Sequence, residues 1–288
     1  MESQNILIEG RIYEPVARHR PPAPGDSRLY KGDGVFVRVG NAEKIDANLL
    51  VHRRLEKAGF PVPRILGEGA VGDEKYFIEE SLGDTILRLQ FAEEFANTGH
   101  ILEESFSSFI NIMRRYLTAQ TKAVADGDAA TFIEKVQVNR LCKELPEYAE
   151  RIQAKASEHL KLLSRFPFVL SHGDLSPNNL FPEGIIDLED SLSAPFGYDA
   201  VCALMTGDWY PGDVEFEFEV TPYYFTPAQK AEFLDMCDNV STTAGFPPIS
   251  SSIESFSFFR AAWLTANMGE WPKTQKYRHD RFIREYLD

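Results

Sequence analysis

The chain has 288 residues, 43% hydrophobic and 12% aromatic, which marks an ordered globular protein with a well-buried core or two lobes sharing a cleft. Its 44 acids against 30 bases give a net charge of −14, without the basic stripe that a nucleic-acid partner demands. An acidic cleft would instead attract a cationic small molecule.

Cys142, Cys202 and Cys237 are odd in number and widely spaced, which fits buried thiols in a reducing compartment. MESQNILIEGR lacks the basic and apolar regions of a signal peptide. No apolar stretch approaches the ~18 residues that span a bilayer. A cytoplasmic protein without membrane contact is the expectation.

The first 80 residues read mostly as strands. Arg28–Lys31 and Val35–Val39 form a hairpin around Gly32-Asp33-Gly34, Asp-Gly being a strong turn signal. The Pro-rich RHRPPAPGDS upstream of it is loop. From Ala42 to Ala58 the spacing of Ile45, Leu49, Leu50 and Leu55 predicts a helix that stops at Gly59. A second hairpin, Arg64–Glu68 against Glu74–Glu80, turns at Val71-Gly72-Asp73, and Ser81-Leu82-Gly83 is a candidate hinge. Amphipathic helices are predicted over 84–97, 103–125 and 129–163, then from Asp199 to Met205 and near 227–240 and 253–268. The strict alternation of Val214-Glu215-Phe216-Glu217-Phe218-Glu219-Val220 predicts a half-buried strand, or a row of glutamates facing a cationic ligand. Trp209, Tyr210, Tyr223, Tyr224, Trp263 and Trp271 are candidates for a pocket wall or for core.

Residues 171–190, SHGDLSPNNLFPEGIIDLED, concentrate polar groups between apolar runs. Burying carboxylates is costly unless they are hydrogen-bonded, paired or metal-bound. A hairpin of Leu180-Phe181, Pro182-Glu183-Gly184 and Ile185-Ile186 in simple register sets Phe181 against Ile185 and Asn179 against Asp187. Directly opposed residues lie roughly 4.5–5.5 Å apart. An amide oxygen and a carboxylate at that spacing suit Mg²⁺, which takes one or two protein oxygens together with substrate phosphates. Asp174, across the kinked Leu175-Ser176-Pro177, is aimed at the same cleft, where a carboxylate accepts a proton from an incoming hydroxyl.

His172-Gly173-Asp174-x4-Asn179 followed by Ile186-Asp187-x-Glu189 resembles the aminoglycoside phosphotransferase and choline kinase family, small-molecule kinases with a protein-kinase-like fold. The resemblance runs over nearly all of 25–205 and implies an α+β, two-lobed fold. Residues 1–82 would form a strand-rich nucleotide-binding lobe, and 83–288 a helical lobe with the catalytic loop and acceptor pocket. It implies ATP and Mg as cofactors, Asp174 as catalytic base, and Asn179 and Asp187 as metal ligands. Arg38 and the Gly25-Asp26-Ser27 loop would meet the phosphates, and the backbone of Glu79, Glu80 and Ser81 the adenine. His172 and Asp199 would brace the loop.

Arg38 stands where the family usually has Lys, and Asn48 where it has an acid, so Asn48, Asp46 or Glu43 is the expected partner of Arg38. The implied activity is transfer of a γ-phosphoryl group to the hydroxyl of a small molecule. Two rivals are a kinase-shaped scaffold or nucleotide sensor that has lost transfer, and a metal-dependent hydrolase built on His172, Asp174 and Asp187.

Overall fold

The computed structural model describes residues 4–16, 27–266 and 268–288. Its N-terminal part is one antiparallel sheet in the order β1-β2-β3-β4-β6-β5. The strands are β1 (Ile6–Ile8), β2 (Arg11–Pro15), β3 (Arg28–Gly32), β4 (Val35–Gly40), β5 (Ile65–Val71) and β6 (Glu74–Glu80). Asp33-Gly34 joins β3 to β4, with Gly34 at φ 67°, the left-handed region that glycine enters without steric cost. The β5–β6 hairpin turns on Gly72-Asp73, and β5 runs three residues past the expected Glu68, to Val71.

Helix α1 (Ala42–Lys57) links β4 to β5. The Asn41 side chain caps it, accepting the Lys44 N–H at 2.8 Å, and the chain leaves it through Gly59 at φ 84°. Ile45 and Leu49 of α1 pack on Phe77 of β6, while Val37, Val39, Tyr76 and Ile78 bury the opposite face of the sheet with Tyr13 and Tyr30. The two-residue period of β4 therefore puts Arg38, which pairs with Phe77, on the α1 side, facing the rest of the chain.

The remainder is mostly helical: α2 (Leu87–Thr98), α3 (Glu103–Gln120), α4 (Ala129–Lys135), α5 (Val138–Glu144) and α6 (Ala149–Leu163), then α7 (Tyr198–Met205), α8 (Pro227–Thr243), α9 (Ile253–Thr265) and α10 (Pro272–Phe282). Between α6 and α7, β7 (Phe168–Ser171) pairs with β8 (Leu192–Pro195). One continuous core joins these elements, and at its centre Phe109 stacks on Phe225 at 5.2 Å and Phe233 at 5.0 Å. Full burial of an aromatic ring of this size contributes about 1.5–3 kcal/mol.

Two expectations fail here, and one helix goes unannounced. The single helix predicted over 129–163 is three, because Gln137 adopts φ 64° and Pro146 opens a 3₁₀ turn before α6. Residues 214–220 form no strand: Phe216 and Phe218 stack on each other and reach Tyr277 and Trp271, so side-chain packing, not a ladder, satisfies the alternation. The three glutamates of this segment are exposed, Glu215 pairing with Lys273 at 2.6 Å. Helix α10 had no apolar period to announce it. Among the described residues no helix is long and apolar enough to cross a membrane.

Candidate active site

The chain leaves β7 through His172-Gly173-Asp174. Gly173 has φ 88°, and a Cβ there would lie 2.3 Å from the Asp190 carbonyl oxygen, so both backbone conformation and space require glycine. Beneath this loop sits Asp199, fully buried at the start of α7. Its Oδ2 accepts from the Tyr116 hydroxyl at 2.6 Å, Gln120 Nε2 at 2.9 Å and His172 N–H at 3.0 Å, and its Oδ1 accepts from Gly173 N–H at 3.1 Å. Four donors offset the burial of that carboxylate. Burial, then the Asp199 charge, pushes the Tyr116 phenol well above its ordinary value, so Tyr116 stays a donor.

His172 is buried and spans two segments. Its Nδ1 accepts the Asp174 N–H at 3.3 Å, which leaves the proton on Nε2 to be donated to the Ile186 carbonyl at 2.8 Å. The catalytic-loop candidate is thus tied to the segment carrying Asp187. Asn179, also buried, donates its Nδ2 to the Asp174 carbonyl at 2.9 Å, which leaves its amide oxygen as the end available to a cation.

The hairpin register differs by one residue from expectation. Leu180 bridges to Ile185, Phe181 and Gly184 exchange hydrogen bonds, and Ile186 N–H reaches the Asn179 carbonyl at 3.0 Å. The turn is Pro182-Glu183 alone. Gly184 belongs to the paired segment because the ribbon docks on the chain leaving α1: Ile185 N–H donates to the Pro61 carbonyl at 2.8 Å, and a Cβ on Gly184 would sit 2.5 Å from that same oxygen. Asn179 therefore stands opposite Ile186, not Asp187. Asp187 enters the cleft by a backbone turn instead, at φ 62° and ψ 64°. Loss of hydration, then the charges of Asp174 and Asp187, raises the Asp190 carboxyl above its ordinary value even though the residue keeps much of its surface in solvent. All three carboxylates share one electrostatic neighbourhood.

Arg38 reaches into the same cleft, but its partner is Glu189 at 2.7 Å. None of the three expected groups takes that role: Asp46 pairs with Lys75 at 2.7 Å, Asn48 Nδ2 is buried with no partner among the described residues, and Glu43 forms no ion pair with Arg38 among the described residues. Arg38, Asn48, Glu79, Asp187 and Glu189 enclose a cavity of about 30 Å³. Burial raises the Glu79 carboxyl above its ordinary value, opposed by the charge of Arg38. At the hinge the Glu80 N–H donates to the Arg64 carbonyl at 3.0 Å and the Ser81 N–H to the Gly34 carbonyl at 2.9 Å. These two donors, expected at an adenine, are committed within the N-terminal sheet. Ser27 is buried with its hydroxyl unpartnered, behind β4; Gly25 and Asp26 lie outside the described residues.

One site residue was not anticipated. Arg260 of α9, fully buried, donates its Nη2 to Asp174 Oδ1 at 2.7 Å and to the Thr206 hydroxyl at 3.0 Å, and packs on the Trp263 ring at 4.4 Å. A single arginine inside the apolar run IESFSFFRAAWLT was the available signal. Asp174 and Arg260 open onto a cavity of about 670 Å³, walled in part by Tyr210, Tyr223, Trp263 and Trp271. Of the other aromatic candidates, Trp209 is core and Tyr224 packs on Phe95.

Among the described residues no group of three or more His, Cys, Asp or Glu stands ready for a metal. Asn179 and Asp187 offer two hard oxygen donors, a set that fits Mg²⁺ only together with ligand phosphates.

The model of the phosphotransferase enzyme family, APH, matches residues 35–219. Among solved structures, an aminoglycoside-3'-phosphotransferase of type VIII is 18% identical, with 86% of this chain and 93% of that one covered and a TM-score of 0.50. A thermostable mutant of aminoglycoside phosphotransferase APH(4)-Ia, in ternary complex with ADP and hygromycin B, is 11% identical over 96% of this chain and 94% of that one, with a TM-score of 0.54. No curated protein matches. The fold these structures share is the two-lobed, protein-kinase-like one, with the strand-rich lobe first and the helical lobe after it. With both motifs of the 171–190 segment inside the matched region, the chain belongs to the phosphotransferase enzyme family.

Proposed function

We propose that the protein is an ATP- and Mg²⁺-dependent phosphotransferase that moves the γ-phosphoryl group to a hydroxyl of a small molecule held in the 670 Å³ cavity. The observation that carries this reading is the position of Asp174: it lines that cavity, while His172 ties its loop to the segment entering the Arg38 cleft. A hydroxyl in the cavity would meet the Asp174 carboxylate, which accepts its proton as the oxygen attacks. Arg260 holds that carboxylate in place through Oδ1. Arg38, exchanging Glu189 for phosphate, would bind the nucleotide bidentately. Asn179 and Asp187 would hold Mg²⁺, which when bound neutralises charge on the β- and γ-phosphates.

Residues 1–82 would be the nucleotide lobe and 83–288 the acceptor lobe. The adenine would lie along Glu79–Ser81, using backbone groups other than the two committed N–H donors. The ADP and hygromycin B bound by the APH(4)-Ia structure support a nucleotide and a small-molecule acceptor. The three buried free thiols accord with a cytoplasmic location.

A second reading, a kinase-shaped nucleotide sensor without transfer, is favoured by one observation: Arg38 is already ion-paired to Glu189. Two measurements separate the readings. Incubation with γ-labelled ATP, Mg²⁺ and a panel of hydroxylated metabolites yields labelled product under the first, whereas under the second ATP raises the melting temperature and no label moves. Neither stabilisation nor transfer would refute both.

A further inference from the structure

The chain is acidic overall, and the acceptor cavity is not. Three arginines line it: Arg88 of α2, Arg260 of α9 and Arg278 of α10. Arg260 and Arg278 are fully buried, and Arg88 is half-buried. Asp174 answers Arg260, but Arg278 has no acidic partner among the described residues. Its Nη1 donates to the Leu264 carbonyl, its plane covers the Tyr210 ring at 4.7 Å, and its Nε and Nη2 are buried with no hydrogen-bond partner. Arg260 likewise leaves Nε and Nη1 unpartnered, and Arg88 forms no ion pair among the described residues.

The acids of this cavity other than Asp174 are Glu217 and Glu219, both exposed at its mouth. Glu217 is turned away onto the first turn of α10, where it accepts from the Lys273 N–H and from the Thr274 hydroxyl at 2.7 Å. Fully desolvated guanidinium groups without a counter-ion are strongly disfavoured. Burial pulls Arg278 below its ordinary value, and the nearby Arg260 charge adds to that. A ligand that brings its own negative charge to the depth of the cavity removes this cost.

We propose, taking the phosphotransferase reading as its basis, that the acceptor is an anionic hydroxylated molecule whose carboxylate or phosphate group is received by Arg278 and Arg88, with the reacting hydroxyl directed at Asp174. This reverses the cationic ligand suggested by the net charge. Aminoglycoside-like polycations are the wrong substrates: they would set ammonium groups against three arginines, and like-charge contact is an effective means of rejection.

The test is a binding series without nucleotide, comparing matched polyols by thermal shift: gluconate and quinate (anionic), glucose and myo-inositol (neutral), and glucosamine (cationic). The hydroxy acids raise the melting temperature of the wild-type protein, less so in high salt, and the neutral and cationic compounds do not. R278M and R88Q each weaken hydroxy-acid binding ~10–100-fold, the loss of one charge-assisted contact, while R38M at the nucleotide cleft leaves it unchanged. If R278M does not fold, R88Q and the wild-type charge series still decide. Stabilisation by glucosamine, indifference to both hydroxy acids, or hydroxy-acid binding lost in R38M but kept in R88Q overturns the proposal. ADP binding, measured separately, distinguishes the two levels: hydroxy-acid binding without any response to ADP and Mg²⁺ would sink phosphoryl transfer and leave the anion site standing, and the reverse would sink only the anion site.

Discussion

Replacing Asp199 by Asn probes the anchor of the His172–Asp174 loop. The carboxylate serves three donors at Oδ2 and one at Oδ1, all in a site without solvent. An asparagine has one acceptor. Its best placement keeps the oxygen on Tyr116, Gln120 and His172, and then its NH₂ confronts the Gly173 N–H, 3.1 Å away in the native site. One buried donor left unpaired costs about 1–3 kcal/mol. For a chain of this size that lowers the melting temperature by ~2–10 °C. Asp199→Ala leaves the Tyr116 hydroxyl and the Gly173 N–H without an acceptor, whereas Gln120 Nε2 keeps the Leu170 carbonyl and Ser171 hydroxyl and the His172 N–H keeps the Tyr116 oxygen; two stranded donors cost more than one, roughly 2–6 kcal/mol. Tyr116→Phe removes one hydrogen bond to the carboxylate and costs about 0.5–1.5 kcal/mol. Thermal and urea denaturation should rank the variants Asp199→Ala, Asp199→Asn, Tyr116→Phe in decreasing damage. An Asp199→Asn protein melting within a degree of wild type would refute the view that this carboxylate holds the loop.

Other outcomes follow from single contacts. Gly173→Ala forces a left-handed residue and drives a Cβ onto the Asp190 carbonyl, at roughly 2–4 kcal/mol by urea titration. Thr226→Ala removes the hydroxyl of the capping box that opens α8, at about 1 kcal/mol in the same titration. Because burial raises Glu79, the folded state holds that proton more tightly than the unfolded chain, so this group's contribution is complete below 4.5 and is lost as pH rises through the higher folded value. Glu79→Gln should therefore raise the melting temperature at pH 8 and leave it unchanged at pH 4, and an equal gain at both would contradict the assignment.

The motif pair, the β3–β4 turn and α1 were legible because their signals are local: glycine where φ is positive, apolar residues at helical spacing, polar groups set among apolar ones. The 180–185 ribbon was misread by one residue because Gly184 looks like a turn glycine, and only the Pro61 carbonyl packed against it shows why glycine stands there. The partner of Arg38 lies 151 residues away, and the partner of Asp174 lies 86 away on a helix that is mostly core. Such pairings are set by how the lobes and helices stack, which no local period records. The Glu-Phe alternation at 214–220 carried real information about exposure, but aromatic stacking met it instead of a sheet.

The proposed role of Asp174, taking the acceptor's proton, stands or falls with the Asp174→Asn variant. With the acceptor identified, the variant should lose ~10²–10⁴-fold in kcat, while its affinity for AMP-PNP and Mg²⁺, measured by calorimetry below its melting temperature, stays within about twofold of wild type. A variant that turns over at a rate close to wild type would contradict the account.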